Sequence, residues 1–317
     1  MPAKQGMTPD KRERWFRIEL STPPELVDAL ANYVTEIGAQ GAYQEVLEPF
    51  APNDRPAALD KLNAFLPVDT RLENRLARLE TYLASLGKLF PEYDPVTLTT
   101  ETIDDPDWGE QWKKYFKPLR VSKNIVIKPT WERFTPQGHD IVIDIDPGMA
   151  FGTGQHPSTR MCLEAMEDIL LKSRSVQGAR VLDVGTGTGI LGIASAKLGA
   201  EAVVCVDIDR KAAEIARENV RINEVEDRVK IVNRDVTTLH DPFSLIIANL
   251  TARLLVSLRS HLVSLLTPGG YLVLSGIIDL NRPEIEAHFF APPFVSRRTI
   301  TEKEWVCYVL QNKEQTP

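Results

Sequence analysis

The sequence predicts a doubly wound α/β domain in the C-terminal half of the chain, preceded by a smaller α+β domain. From Ile141 onward, strand-like apolar runs alternate with helical segments, which is typical of a parallel sheet with helices on both faces. A glycine-rich turn follows the buried run Val181–Val184. A chain of 317 residues is also longer than one ordinary domain, so two domains are expected.

The first domain is predicted to span residues 1–103, with the ferredoxin-like order strand-helix-strand-strand-helix-strand. Its strands are predicted from alternating or β-branched runs at residues 15–20, 42–47, 62–66 and 96–103. Its helices are predicted from apolar residues at helical spacing at residues 26–37 and 72–86, with Gly38 and Gly87 ending them.

Residues 104–133 are predicted to connect the two domains. Trp108, Trp112 and Tyr115 recur at helical spacing, so they form one apolar stripe on a helix. A helix packed against a domain explains this stripe more simply than a ligand site does. The second domain is therefore expected to span residues 134–317.

The composition, 43% hydrophobic and 26% charged, is that of a soluble globular protein. No apolar run approaches the ~20 residues of a membrane helix, and residues 1–16 lack a signal-peptide core, so a cytoplasmic location is expected. The net charge of −7 argues against direct nucleic-acid binding and favours a small charged cofactor or a basic protein partner. The three scattered cysteines and five histidines lack metal-ligand spacing, so no metal site is expected.

Five parallel strands of the second domain are predicted from apolar runs, and a closing antiparallel pair from residues 294–310. The parallel strands are predicted at residues 181–184, 202–206, 229–232, 245–248 and 271–274, with helices between them as at residues 191–198 and 212–223. A tight turn at residues 266–270 is expected to lead into the fifth strand.

The strongest single motif is the glycine-rich turn Gly185-Thr-Gly187-Thr-Gly189, which joins a buried strand to a helix. Glycines let the backbone approach a ligand without side-chain clashes, and the helix N-terminus offers free N–H donors. Enzymes that use nicotinamide cofactors have a similar turn, but with the spacing Gly-x-Gly-x-x-Gly. The spacing here, directly after the acidic residue Asp183, favours a cofactor without a pyrophosphate group.

Acidic residues follow the next two strands. Asp207 ends the strand after the turn, where a carboxylate accepts hydrogen bonds from both hydroxyl groups of a ribose. The alternative is that Asp207 caps the helix at residues 210–223, a role that suits Asp209 better. Asp235 follows the third strand, where it either contacts an adenine ring or lies in a surface turn.

Asn249 lies at the tip of the fourth strand, the edge at which open α/β sheets bind their ligands. Its amide oxygen can accept a hydrogen bond from an amine and so orient the lone pair of the nitrogen. Asn249 is therefore the candidate catalytic residue. The alternative is that it caps a helix at residues 251–265.

The segment Asp146-Pro-Gly-Met-Ala-Phe151-Gly-Thr-Gly-Gln-His156-Pro-Ser-Thr159-Arg closely resembles the signature of the ribosomal protein L11 methyltransferase (PrmA) family. Residues 108–120 and the stretch Asn249-Leu-Thr-Ala are also similar to that family. The resemblance implies a class I (Rossmann-like) methyltransferase fold that binds S-adenosyl-L-methionine. It also implies methylation of lysine side chains and the N-terminal amine of ribosomal protein L11, which the first domain recognises.

The resemblance also implies roles for individual residues. The family's cofactor contacts correspond to Thr159, Gly185, Asp207 and Asn249, to which the motifs add Gly187, Phe151 and Asp235 as cofactor-binding candidates. Residues 148–154 look like a mobile flap over the adenosine, with Phe151 as an apolar plug, or alternatively like a rigid turn. His156 precedes a helix, and this position favours a structural role over proton transfer.

Three other functions stay open at this point. The first is that of a related methyltransferase that acts on lysines of another protein, such as an electron-transfer flavoprotein. A nicotinamide-dependent oxidoreductase is disfavoured by the glycine spacing and by Asn249. A non-enzymatic cofactor sensor is disfavoured because the glycine, ribose and amide positions are all intact.

Overall fold

The computed structural model describes residues 14–23, 26–39, 42–44, 59–91, 93–103, 113, 116–146, 154, 156–172 and 178–313. The chain divides into two compact units, Met1–Phe116 and Lys117–Pro317. The division lies within the predicted connecting segment of residues 104–133. Trp108, Trp112 and Tyr115 lie outside the described residues, so the helix expected there stays a prediction.

The first unit contains a four-stranded sheet and two helices. The strands are Trp15–Thr22 (β1), Ala42–Gln44 (β2), Asp60–Pro67 (β3) and Thr97–Ile103 (β4), and the helices are Val27–Glu36 (α1) and Leu72–Leu89 (α2). The sheet order is β2-β3-β1-β4, and every neighbouring pair is antiparallel. This is the element order predicted for a ferredoxin-like domain. The rest of the predicted second strand, residues 45–47, lies outside the described residues.

One face of this sheet is buried against both helices, because alternate residues of a strand point to the same side. The core comprises Ile18, Leu20, Leu62, Ala64 and Leu66 from the strands and Leu30, Val34, Leu79 and Leu86 from the helices. The prediction that Gly87 ends α2 is wrong, since the helix continues to Leu89. The N–H of Phe90 donates to the carbonyl of Leu86, so helical hydrogen bonds carry the chain past the glycine.

The second unit contains ten strands and five α-helices among its described residues. The strands are Leu119–Arg120 (β5), Ile125–Lys128 (β6), Ile141–Asp144 (β7), Arg180–Val184 (β8), Ala202–Asp207 (β9), Val229–Asn233 (β10), Phe243–Asn249 (β11), Leu266–Ile278 (β12), Phe294–Glu302 (β13) and Trp305–Asn312 (β14). The helices are Pro157–Lys172 (α3), Ile190–Lys197 (α4), Arg210–Ile222 (α5), Ala252–Leu265 (α6) and Arg282–Phe289 (α7). Each strand predicted between residues 181 and 274 is present.

A seven-stranded sheet organises this unit, in the order β10-β9-β8-β11-β12-β14-β13. The first five strands in that order are parallel, and β14 and β13 close the sheet as the predicted antiparallel pair. The chain builds outward from β8 through β9 to β10 and then returns to the other side of β8 as β11. Ligands of open α/β sheets bind at such a reversal, beyond the carboxyl ends of the strands.

Helices cover both faces of the large sheet. In β8, Val181 joins the core under α3, α4 and α5, while Leu182 joins the opposite core under α6 and α7. Strands that are buried on both faces read as continuous apolar runs, which explains why their positions could be predicted. No helix within the described residues is both long and apolar enough to span a membrane.

A separate three-stranded sheet, β5-β6-β7, packs against the helices α3 and α4. Glu167 of α3 accepts a hydrogen bond from the N–H of Asn124 at 2.9 Å, and Lys197 of α4 donates to the carbonyl of Val142 at 2.7 Å. These bonds attach the β6 and β7 region to α3 and α4. The signature segment, residues 146–160, begins two residues after β7 ends.

The predicted tight turn at residues 266–270 lies inside β12 rather than before it. Phe243 pairs with Leu266, whereas Leu245, only two residues further along β11, pairs with Tyr271. The residues between Leu266 and Tyr271 therefore bulge out of a strand that begins directly after α6.

Candidate active site

The glycine-rich turn joins β8 to α4 in a conformation that only glycine adopts easily. Gly185, Gly187 and Gly189 have φ angles of +71°, +56° and +83°. A Cβ atom at Gly185 would lie 2.5 Å from Leu250 Cδ2, so a side chain there would also clash with the end of β11. Asn219 of α5 stabilises the turn, because its Nδ2 donates to the carbonyl of Thr188 at 2.8 Å.

A buried carboxylate supports the same turn. Asp183 accepts hydrogen bonds at Oδ2 from Thr186 Oγ1 at 2.5 Å and from the N–H of Gly192 at 3.2 Å. Burial raises the pKa of Asp183 to about 6, although these two bonds oppose the shift. Among the sequence motifs, Asp183 was recognised only as the acidic residue before the glycines, and no role was predicted for it. Its position directly before Val184 and Gly185 was the available signal.

Asp207 lies across from the turn at the end of β9. Its Oδ2 accepts a hydrogen bond from the N–H of Gly187 at 3.0 Å, and its Oδ1 accepts one from the N–H of Asp209 at 2.9 Å. Asp209, not Asp207, caps α5, since Asp209 Oδ1 accepts from the N–H of Lys211 at 2.8 Å. The capping role for Asp207 is therefore wrong, and each of its oxygens keeps a lone pair for a ligand hydroxyl.

Asp235 follows β10 on the surface. Its Oδ1 accepts hydrogen bonds from the N–H and the hydroxyl of Thr237 at 2.9 and 2.8 Å, and these bonds lower the pKa of Asp235. The side chain thus caps a short 3₁₀ helix, Val236–Thr238. This contact is local and uses one oxygen, so the adenine contact stays a prediction.

Asn249 reaches from the end of β11 to the first turn of α3. Its Nδ2 donates to Thr159 Oγ1 at 3.4 Å, and Thr159 is itself buried. The N-cap residue of α6 is Thr251, so the alternative prediction that Asn249 caps that helix is wrong. The fold thus brings together Asn249 and Thr159, residues far apart in the sequence, beside the glycine turn.

His156 has the structural role that the sequence favours. Its Nδ1 accepts a hydrogen bond from the N–H of Ser158 at 3.2 Å and lies 2.7 Å from Ser158 Oγ, which places it at the N-terminus of α3. Its ring also meets Trp305 edge to face, with centroids 4.5 Å apart. Burial, followed by the charges of Arg160 and Lys303, lowers the pKa of His156 to about 3. The ring is therefore neutral at physiological pH.

We expect His156→Asn to flatten the pH dependence of stability below neutrality. In the wild type, unfolded His156 binds a proton below a pKa of about 6.5 while folded His156 does not, so stability falls as the pH drops towards 3. Between pH 6.5 and 5 this loss is about 2 kcal/mol. Asparagine also caps helices and does not titrate.

Urea unfolding of both proteins at a series of pH values measures this difference. Asp183, whose raised pKa acts in the opposite direction, is common to both proteins and cancels in the comparison. Parallel curves of stability against pH for the two proteins would show that folding does not lower the pKa of His156.

The predicted flap is only partly described. Residues 148–153, including Phe151, lie outside the described residues, so the flap and the apolar plug stay predictions. Gly154 is described and has φ +79°, a conformation suited to glycine.

The described residues at the glycine turn and at the end of β9 fit a nucleoside cofactor. The glycine backbone at the turn allows close approach of a ligand, and the carboxylate of Asp207 has acceptor capacity that suits ribose hydroxyl groups. The cysteines are buried and free, and the described residues contain no group of His, Cys, Asp and Glu suited to a metal ion.

The family model described as ribosomal protein L11 methyltransferase (PrmA) matches residues 14–313. The chain belongs to this family. Within it, the ribosomal protein L11 methyltransferase of Geobacter sp. (strain M21) is 40% identical over 299 residues, which cover 92% of this chain and 96% of the relative. The relative from Heliobacterium modesticaldum is 36% identical over 312 residues, which cover 93% and 96%.

A solved structure agrees with this membership. The crystal structure of ribosomal protein L11 methylase from Lactobacillus delbrueckii subsp. bulgaricus is 31% identical, with a TM-score of 0.57. The similarity covers 63% of this chain and 100% of that chain. The predicted class I methyltransferase fold and the family resemblance are therefore confirmed.

Proposed function

We propose that the protein transfers methyl groups from S-adenosyl-L-methionine to amine nitrogens of ribosomal protein L11, on lysine side chains and at the N-terminus. The observation that carries this proposal is the position of Asn249. Its amide stands at the end of β11, beside the glycine turn and bonded to Thr159, where an amine and a cofactor would meet.

Residues of the second unit would hold the cofactor, which supplies an electrophilic methyl group on a positive sulfonium. Gly185 and Gly187 let the backbone approach it, and Asp207 accepts hydrogen bonds from its ribose. Thr159 and Asn249 are further proposed contacts of the cofactor, Asn249 also contacts the amine, and Asp235 and Phe151 complete the proposed set at the adenosine.

Asn249 would orient the amine rather than remove its proton. A lysine amine has a pKa of ~10.4 in water, so it must lose a proton before it reacts. Removal from water next to a positive charge lowers that pKa, and no dedicated base is then needed. Holding the neutral nitrogen in line with the methyl group supplies most of the acceleration.

Ribosomal protein L11 is proposed as the substrate because the matching relatives carry that name. The net charge of −7 suits a basic protein partner, and the cytoplasm is where such a substrate is made. Another lysine-bearing protein, such as an electron-transfer flavoprotein, lacks this support.

Two measurements test the proposal. Purified protein and labelled cofactor should transfer methyl groups to purified ribosomal protein L11, and mass spectrometry should locate them on amines. Calorimetry should detect binding of S-adenosylmethionine and none of NADH. Transfer only to another protein in a cell extract would contradict the substrate, and a preference for NADH would contradict the cofactor.

Removal of the first unit is expected to separate binding from recognition. We propose that residues 1–103 recognise the substrate, that the connection between the domains lies within residues 104–133, and that the cofactor residues lie in residues 134–317. A chain of residues 117–317, the second compact unit, should bind the cofactor almost normally but lose methyl transfer to ribosomal protein L11. A truncated chain that methylates L11 at the full rate would contradict the recognition role.

A further inference from the structure

A buried serine on β12 is bonded to the first turn of α3. The hydroxyl of Ser275 donates a hydrogen bond to the backbone carbonyl of Ser158 at 3.0 Å, although the two residues are 117 positions apart in the sequence. Both residues are buried. Water cannot replace the bond at such a site, so it holds the beginning of the helix at a fixed distance from the strand.

Ser275 is also the register partner of Asn249, the candidate catalytic residue at the end of the neighbouring strand β11. The N–H of Leu250 donates to the carbonyl of Ser275 at 3.1 Å, which extends the pairing of the two strands past Asn249. The sheet therefore fixes the backbone of Ser275 beside the backbone of Asn249, independently of the two side chains.

These contacts close a ring that contains the Asn249 amide. Asn249 Nδ2 donates to Thr159 Oγ1, and Thr159 directly follows Ser158 in α3. The pairing of β11 with β12 and the hydroxyl bond of Ser275 to Ser158 complete the ring. Each connection is a strand pairing, a hydrogen bond or a covalent bond, so the orientation of the amide depends on every member of the ring.

The bond between Asn249 and Thr159 is the long one in this ring, at 3.4 Å. Hydrogen bonds from N–H donors weaken beyond about 3.2 Å, so this bond orients the amide only while Thr159 stays in place. Two shorter bonds hold Thr159. Its own N–H donates to the carbonyl of His156 at 3.1 Å, and Ser275 binds the carbonyl of the preceding residue at 3.0 Å.

We propose that Ser275 is a positioning residue that orients the amide of Asn249 through the first turn of α3. The inference rests on the proposed transfer to amines, in which this amide holds the nitrogen in line with the methyl group. Ser275 acts through Ser158 and Thr159 and contacts neither cofactor nor substrate. Without its hydroxyl, the helix end can shift relative to β11, and a small displacement of aligned groups lowers a reaction rate strongly.

The test compares Ser275→Ala with Ser195→Ala in the full-length protein. Ser195 is the matched control, because it is also buried and also donates its hydroxyl to a helix carbonyl, that of Leu191 at 2.9 Å. Alanine is smaller than serine, so each variant removes one hydrogen bond without adding an atom. Single-turnover methylation of ribosomal protein L11 with saturating cofactor gives the rate, and calorimetric titration with S-adenosylhomocysteine gives the fraction of folded sites.

Ser275→Ala is expected to lower the rate per folded site by about tenfold, whereas Ser195→Ala should change it by less than about twofold. In a protein that already carries Asn249→Ala, adding Ser275→Ala should lower the rate by less than about twofold, because the alignment can be lost only once. An unchanged rate in Ser275→Ala, an equal loss in Ser195→Ala, or the same loss with and without Asn249 overturns the inference.

A second measurement does not depend on methyl transfer. Nuclear magnetic resonance relaxation reports the mobility of the side-chain NH₂ group of Asn249, whose signal is assigned by its loss in Asn249→Ala. This group should be more mobile in Ser275→Ala than in the wild type and in Ser195→Ala. Equal mobility in all three overturns the inference and leaves the proposed function intact. A wild type that transfers no methyl group to L11 overturns the proposed function, and the mobility still decides whether Ser275 orients Asn249.

Discussion

Asn249→Ala is expected to lower kcat by about 10²-fold or more, while the affinity for S-adenosylmethionine changes much less. The amide lies at the end of β11 and is fixed through Thr159 in the first turn of α3. A fixed acceptor contributes mainly when the nitrogen is aligned with the methyl group, which is a property of the transition state. Its loss therefore affects the rate more than binding.

Asn249→Asp is the sharper variant, because it keeps the shape of the side chain and adds a negative charge. That charge would pair with the protonated amine and hold it in its unreactive form. The rate should then recover as the pH rises towards the lysine pKa of ~10.4. Wild type should show a weaker dependence on pH over the same range.

Single-turnover methylation with saturating cofactor, measured against pH, tests both Asn249 variants. Thr251→Ala is the matched control, because Thr251 lies two residues after Asn249, at the N-cap of α6, and is exposed. It should leave kcat unchanged even if it weakens the helix. Equal rates for wild type, Asn249→Ala and Asn249→Asp would leave the amine-orienting group unidentified.

The sequence predicted the large sheet well because its strands are buried on both faces. Val181 and Leu182 point into opposite cores and are both apolar, so the run is recognisable without knowledge of its neighbours. The glycine turn was equally visible, since three glycines at alternate positions have few other uses. Positive φ angles at Gly185, Gly187 and Gly189 are the physical reason for that pattern.

Features that depend on tertiary contacts were not predictable in the same way. The bond from Asn249 to Thr159 joins residues 90 positions apart, and only the crossing of α3 over the sheet brings them together. The resemblance to a family pointed to both residues, but not to their contact.

Local sequence patterns failed for a helix end and for one buried carboxylate. Glycine is a common helix terminator, yet α2 continues through Gly87 to Leu89, and the N–H of Phe90 still donates to the carbonyl of Leu86. The role of Asp183 was not predicted, because the sequence shows only that a carboxylate precedes the glycines. Its hydrogen bonds to Thr186 and Gly192, which stabilise the turn, are visible only in the structure. Both cases need three-dimensional contacts to be resolved.

The pair Asp207 and Asp209 shows how the structure separates two similar residues. Both are acidic, Asp207 is the last residue of β9 and Asp209 lies two residues later, and either was a candidate cap for α5. The structure gives the cap to Asp209 and directs the carboxylate of Asp207 to the glycine turn. Variants of Asp207 therefore test the proposed ribose contact, and a variant of Asp209 serves as the control.

Asp207→Ala is expected to weaken the binding of S-adenosylmethionine by roughly 30- to 1,000-fold. A pair of charge-assisted hydrogen bonds to ribose hydroxyls contributes on the order of 2–4 kcal/mol, and this is the corresponding change in affinity. Asp209→Ala, by contrast, should cost about 1 kcal/mol of stability through the lost helix cap and leave the dissociation constant nearly unchanged. Asp207→Asn keeps an acceptor for the N–H of Gly187 but lacks the charge, so its affinity should lie between those of wild type and Asp207→Ala. Calorimetric titration of the three variants with cofactor measures these differences, and equal affinities for Asp207→Ala and Asp209→Ala would remove the ribose role from Asp207.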